Sequence, residues 1–292
     1  MEKEKTKPKR SVPRKIFNGI IGLFIGLIIL FVLLVGFSQT YTFRNFLRKE
    51  IISTFNKTSG GILNIRKIEG TLLTTLTVHD LSIMVDKDTL LSARKSNLFI
   101  SPLHIFLNKV FVREFETEGL KVALLQDSAG VWNISKLSKD KDTTSSESFI
   151  ESFQVNSIKI KDLHLIRKTY QHLESNVNYN IVNFDDLDVQ RINIIGSAIG
   201  DIKNNDYFLK LDNFSLEPNL EKFTIKRISG EFAVNTKSAS VKNFRIETDS
   251  TDISFSARLD SINLFKGIEL QDFKNYPAQL QMDVNSFWFE DL

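Results

Sequence analysis

The chain has no cysteine, and only five prolines, three methionines and thirteen glycines among its 292 residues. Without cysteine it can form no disulfide framework, offer no thiol nucleophile and build no zinc site with sulfur ligands. Catalytic signatures are missing as well. There is no Gly-x-Gly-x-x-Gly, Walker loop, His-Glu-x-x-His or Gly-x-Ser-x-Gly; the nearest mimic, Gly196-Ser197-Ala198-Ile199-Gly200, has its serine one place early. The four histidines, His79, His104, His164 and His172, are scattered, mostly beside polar strand positions, and read as surface residues. Asp140, Asp142, Thr144 and Glu151 fall at the offsets of a calcium loop, but Ser145 stands where such a loop needs glycine, and no helices flank it. That segment reads as a solvated linker. The expectation is a protein that is not an enzyme and has no cofactor and no metal. Three Asn-x-Ser/Thr sequons, at Asn56, Asn133 and Asn213, matter only in a glycosylating host.

A basic body is also missing, although the formal net charge is +3. Residues 1–15 carry seven basic side chains against Glu2 and Glu4, a net +5, so the remainder sums to −2. A body near neutrality lacks the basic stripe that phosphate neutralisation requires, which argues against nucleic acid as a partner.

What is present begins with Ile16 to Phe37, 22 residues without a charge. At about 1.5 Å per residue the run reaches roughly 33 Å, enough to cross a hydrocarbon core of about 30 Å. It is longer than the apolar region of a cleavable signal, and its exit, Val35-Gly36-Phe37-Ser38-Gln39-Thr40, has no Ala-x-Ala pattern. It reads as a retained transmembrane helix. The basic tail 1–15 outweighs Arg44, Arg48 and Lys49 on the far flank, which keeps the N-terminus in the cytoplasm and exports the body. Gly22-x-x-x-Gly26 offers a close-packing face for a second helix, though glycine is common in membrane helices generally. A second, short amphipathic helix is expected over 42–58, where Phe43, Leu47, Ile51 and Phe55 recur every four residues and Ser59-Gly60-Gly61 supplies the stop. It can pack on the body, lie at the membrane surface or plug one end of a β structure.

From Ile62 onward the period changes to two. Apolar residues make up 42 % of the chain and Phe alone contributes 24, a composition suited to half-buried pleated surfaces. One pattern recurs: apolar-x-apolar, two polar residues, apolar-x-apolar. It occurs at Leu76/Val78–His79-Asp80–Leu81/Ile83, Ile158/Ile160–Lys161-Asp162–Leu163/Leu165, Val182/Phe184–Asp185-Asp186–Leu187/Val189 and Leu209/Leu211–Asp212-Asn213–Phe214/Leu216. Looser copies lie around Glu118-Gly119 and Lys242-Asn243. The step of three restores the inward direction either through a β-bulge or through a tight two-residue turn. One-faced strands of this kind, including Ile253, Phe255, Ala257 and Leu259, call for a mainly β fold. The expected architecture is a curved antiparallel sheet, taco-like or closed as a sandwich, in a first segment 62–137 and a second 152–292 separated by a polar loop 138–151.

Residues 62–137 resemble the amino-terminal part of the AsmA-like proteins, most of all their TamB-like branch. The resemblance is carried by Ile68-Glu69-Gly70-Thr71-Leu72-Leu73 before a strand, by Ser101-Pro102-Leu103, and by Asp127-x-x-Gly130-x-Trp132-Asn133-Ile134. It implies a protein held in the inner membrane of a Gram-negative bacterium, with a periplasmic body whose apolar trough carries phospholipid acyl chains towards the outer membrane. It also implies an outer-membrane BamA-type barrel as partner. Family members are usually longer, and Phe287-Trp288-Phe289 falls in mid-pattern, so an amino-terminal fragment is expected. The expected trough lining is Leu76, Val78, Leu81, Ile83, Ile158, Ile160, Phe184 and Phe255. The rival expectations are a scaffold for outer-membrane protein assembly, whose apolar faces are internal core, and an exported enzyme.

Overall fold

A computed structural model of the chain describes residues 36–71, 75–101, 104, 107–138, 151–178, 183–216, 224–266 and 275–288, with residues 25, 26, 29, 32 and 33 before them. The tail 1–15, most of the apolar run 16–37 and residues 139–150 of the polar loop lie outside the described residues. So do Gly22, Pro102, Leu103 and Val182. Among the described residues no helix is long and apolar enough to cross a membrane. The described positions of the run are helical, and Ile25, Ile29, Val32 and Leu33 are exposed.

Helix α1 spans Tyr41–Thr58. Thr40 caps it by accepting a hydrogen bond from the Phe43 N–H at 3.2 Å, and Ser59 closes it through Phe55 O at 2.8 Å. Eleven strands follow: β1 Ile62–Gly70, β2 Leu76–Val85, β3 Asp88–Ile100, β4 Lys109–Leu125, β5 Ser152–Lys168, β6 Asp186–Asp201, β7 Asp206–Leu216, β8 Ile225–Val234, β9 Ser238–Glu247, β10 Asp252–Asp260 and β11 Ala278–Ser286. They form one large, curved, unclosed sheet in which every strand neighbours the next in sequence. The fold is mainly β. No second sheet faces the first among the described residues, so the open alternative of the two expected architectures is the one present.

The sheet departs from the antiparallel expectation at one place. β4 and β5 run parallel, with Lys109 beside Ser152 and Leu125 beside Lys168. A parallel pair needs a crossover of a dozen or more residues, and the stretch from Gln126 to Glu151, which contains the polar loop, is long enough to return the chain to the starting end. The segments 62–137 and 152–292 therefore meet as neighbouring strands. On the polar face Glu114 pairs with Lys159 at 2.5 Å and Glu116 with Lys161 at 2.8 Å, matching charge along this parallel seam. The Lys161 ammonium holds the Glu116 carboxyl below its ordinary range.

The three-residue step is mostly a bulge within continuous strands. Asp80, Gly119, Asp162 and Asn243 all adopt left-handed φ, between 47° and 65°, inside β2, β4, β5 and β9. Asp212-Asn213 shifts the register against β6 between Ile195 and Gly196. Asp185-Asp186 is the exception: it marks a turn into β6, while the step itself recurs five residues later as Val189–Gln190-Arg191–Ile192, with Arg191 at φ 55°. With so few glycines, Asp and Asn fill most of these positions because their short polar side chains tolerate the left-handed region. Neighbouring strands take the extra residue at one level: Ile65, Leu81, Ala93 and Leu120 align on one side of it, and Lys67, His79, Lys95 and Glu118 on the other. Register survives across β1–β5 because those strands step together, and their shared bulge bends the sheet along a line; from β5 to β10 the steps fall at different levels and the pairing shifts.

Gly119 tests this account. A β-branched side chain at φ 65° should lose about 2 kcal/mol, whereas asparagine should be nearly neutral. Urea midpoints of Gly119→Val and Gly119→Asn check the contrast; equal midpoints would remove the conformational explanation.

Candidate functional site: an apolar trough

The bulges keep the apolar side chains of successive strands on one face, and register lines them up in rows running across the sheet. One row passes through Val155, Ala198, Leu209, Phe232, Val241, Ala257 and Leu280. A parallel row four to five residues along contains Ile160, Ile194, Phe214, Ile228, Ile246, Ile253 and Val284. Between them lie Ile158, Gly196, Leu211, Gly230, Phe244, Phe255 and Met282. Ten inter-strand steps of about 4.8 Å carry this face nearly 50 Å along its contour from β1 to β11.

Two stretches of the face are covered. At the β1 end, Leu47, Ile52 and Phe55 of α1 pack on Leu63, Ile65, Ile68, Leu76 and Val78. Ile51, expected on the same helical stripe, is 40 % exposed; Ile52 takes its place. The helix also satisfies the free edge of β1. Arg48 donates to Ile65 O at 2.9 Å, Arg44 donates to Gly70 O at 3.0 Å, and the Leu63 N–H donates to Asn56 Oδ1 at 2.7 Å. Of the three placements open to this helix, it packs on the body and closes one end of the trough. The second covered stretch is a cluster of Leu163, Val189, Ile192 and Leu216, against which Ile160, Leu165, Ile194 and Phe214 pack.

Between these clusters and the far edge no described residue covers the face. A groove of about 490 Å³ lies over β6–β10, walled by Phe153, Tyr207, Leu209, Phe232, Val241 and Leu259. Phe232 of its wall continues into an aromatic run with Phe244 and Phe255 beside the groove, with ring centroids 6.0 and 4.6 Å apart. Gly200 makes room for two rings: a side chain there would collide with Phe153 and Tyr207. Phe265, from the short 3₁₀ turn after β10, lies tilted against Tyr207 with ring centroids 5.7 Å apart, near the end of the strands.

The expected lining residues divide accordingly. Phe255 and Ile158 lie in the open rows. Ile160 belongs to the second cluster. Leu81 and Ile83 are half-buried against the first, while Leu76 and Val78 are core beneath α1, 7 % and 9 % exposed. Phe184 is a correction: it stands 71 % exposed in the turn before β6, where its carbonyl accepts a hydrogen bond from Arg167. The apolar-x-apolar spacing around Asp185-Asp186 matched the bulge pattern without being one. Sequence reading did not place Phe232, Tyr207 or Leu259 in the lining; of these it named only Leu259, through its alternation with Phe255 and Ala257, and alternation does not say which part of a face is uncovered.

The signature residues of the family resemblance have structural work here. Asp127 Oδ1 accepts from the N–H groups of Ala129 and Val131 at 3.0 and 2.9 Å, shaping a turn around Gly130 at φ 80°. Asn133 is buried; it donates to Ala123 O at 2.8 Å and accepts from the Leu125 N–H at 3.1 Å, tying the segment to β4. Trp132 lies under the Arg167 guanidinium, 4.6 Å from the ring centre. The histidines all have polar neighbours: Glu69 beside His79, Ser101 beside His104, Asp188 beside His164 and Thr169 beside His172. Among the described residues no three His, Cys, Asp or Glu side chains gather as a metal site.

One buried acid sets a pH dependence. Asp186 is 6 % exposed at the start of β6, with Ser175 Oγ at 2.7 Å and Lys168 Nζ at 3.2 Å. Burial pushes its carboxyl up, but the Ser175 and Lys168 contacts together outweigh burial and hold it below the usual range. A depressed folded-state pKa contributes stability that is present above the unfolded-state value and lost as pH falls through the folded one. Urea midpoints should therefore decline from about pH 4 downward, and Asp186→Asn should be less stable at neutral pH with a flatter acid limb. An unchanged acid limb in the variant would contradict this.

No family model, no curated protein and no solved structure matches the chain. The functional reading rests on the geometry and on the residues quoted above.

Proposed function

We propose that this chain is a carrier of phospholipid acyl chains, tethered in the inner membrane by residues 16–37, with its body in the periplasm and its trough serving outer-membrane biogenesis. The observation that carries this reading is the set of apolar rows on one face of an unclosed sheet, which no described residue covers between the second cluster and β11. An exposed apolar face of this extent marks an interaction surface, and rows running across the strands offer a sliding path without polar interruption. A methylene occupies about the volume of a water molecule, roughly 30 Å³, so a groove of 490 Å³ suits one long acyl tail. Each buried methylene gains about 0.8 kcal/mol, so contact along ten of them offsets about 8 kcal/mol of the cost of leaving a bilayer. No residue need react. The likeness of residues 62–137 to AsmA-like proteins points the same way.

The second reading, a scaffold for outer-membrane protein assembly with a BamA-type partner, draws on the first stretch of the trough, where α1 makes Leu76 and Val78 ordinary core. Lipid extraction and mass spectrometry of the protein purified in mild detergent separate the two. Near-stoichiometric phospholipid supports the carrier, and a lipid-free body supports the scaffold.

A further inference from the structure

The groove over β6–β10 fits an acyl tail but offers little that is polar to a headgroup. Towards the middle of the strands the second covered cluster bounds it, since Ile194 and Phe214 of that cluster lie four and five residues along from Ala198 and Leu209 of the groove. An amphiphile whose tail fills the groove therefore carries its head at the other end, where the strands turn. There a second pocket, of about 410 Å³, is lined by Asn204, Asp206, Asn235, Lys237, Arg258 and Asp260. The two are neighbours. Val234 and Ala239 line the groove and oppose each other across β8 and β9, and the turn between them, residues 235–238, lines the pocket. Register sets Arg258 opposite Ser240 on the polar face, so the pocket lies just over the rim from the groove, with one turn between.

That turn is fixed by its own contacts. Asn235 Oδ1 accepts from the N–H groups of Lys237 and Ser238, both at 2.9 Å, and the Lys237 carbonyl accepts from the N–H of Ile262, which is fully buried. The Lys237 side chain takes no part in them. Charge in the pocket is balanced, with two cations, Lys237 and Arg258, against two carboxylates, Asp206 and Asp260. Arg258 pairs with Asp260 at 2.8 Å, whereas Lys237 and Asp206 are exposed and pair with no opposite charge among the described residues. We propose that this pocket holds the headgroup of a zwitterionic phospholipid whose tail lies in the groove, with the phosphate on Lys237 and Arg258 and a primary ammonium on Asp206 and Asp260. The site presupposes the carrier reading and adds to it the class of lipid. A head carrying both signs satisfies the unpaired cation and the unpaired carboxylate together, while an anionic head leaves Asp206 facing charge of its own sign. A quaternary ammonium is recognised by an aromatic cage. None of the described lining residues is aromatic, so the fit is to a primary ammonium, which donates hydrogen bonds to carboxylates.

The test incubates the full chain in mild detergent with an equimolar mixture of dioctanoyl phosphatidylethanolamine, phosphatidylglycerol and diacylglycerol, and reads the bound lipid by native mass spectrometry. The parent should retain phosphatidylethanolamine over diacylglycerol about tenfold, the size of one charge-assisted contact. Lys237→Gln should abolish that preference at an unchanged urea midpoint, and Lys237→Arg should keep it. Asp206→Asn should abolish the preference for phosphatidylethanolamine over phosphatidylglycerol. A parent that binds none of these lipids removes the carrier reading and the headgroup site with it. A parent that binds all of them alike, or a Lys237→Gln variant that keeps the parent's preference, overturns the headgroup site and leaves the carrier reading standing. Free phosphoethanolamine bound as tightly as the lipid would reassign the pocket to a soluble phosphate ester and overturn it too.

Discussion

Phe255→Asp should strip the protein of bound phospholipid while leaving it folded. The ring sits in the open rows between Phe244 and Met282 and is not part of either covered cluster. Losing contact with three or four methylenes at about 0.8 kcal/mol each removes about 3 kcal/mol, roughly a hundredfold in affinity. A carboxylate in the same place also has to be desolvated by any tail that passes. Ser254→Asp is the matched control, since Ser254 lies one residue away on the opposite, polar face beside Arg245. Lipid recovered with each variant, at matched circular dichroism, measures the effect. Undiminished lipid with Phe255→Asp would sink the carrier reading. A charge at Ile160 is a different experiment: that side chain packs on Leu163 and Ile192, so its substitution acts on stability first.

At the closed end the large effect is on folding. Ile65 is 5 % exposed beneath Leu47, Ile52 and Phe55, and its carbonyl accepts from Arg48. Ile65→Ala should lower stability by about 2–5 kcal/mol, through lost transfer energy and the cavity left under the helix. Arg48→Met should lose about 1 kcal/mol by leaving an edge carbonyl without its donor. Because both act on the seat of α1, limited proteolysis should cut within Tyr41–Thr58 sooner in each variant than in the parent. Urea midpoints measure the sizes; a parental midpoint and cleavage rate for Ile65→Ala would mean the helix does not depend on this contact.

The sequence carried the local physics of this protein. Alternation from Ile62 onward assigned the strands and their apolar face, because side chains on a pleated strand can point only two ways. The His79-Asp80, Glu118-Gly119 and Lys161-Asp162 pairs located the steps, and residues able to hold left-handed φ were already there. The helix read over 42–58 was legible to within one residue at its start, through its four-residue stripe and the Ser59-Gly60-Gly61 stop.

Only the tertiary structure decided what covers each stretch of that face. Leu76 and Phe255 carry the same signal in sequence, yet one is sealed under α1 and the other lies in the rows outside both covered clusters. Phe184 fits the spacing and sits in a turn, because the spacing specifies direction along a strand and not whether a strand is there. The parallel seam of β4 and β5 was likewise invisible, since a crossover depends on where the chain re-enters the sheet and leaves no periodic trace. Burial is a relation between distant segments, and periodicity reports only on near ones.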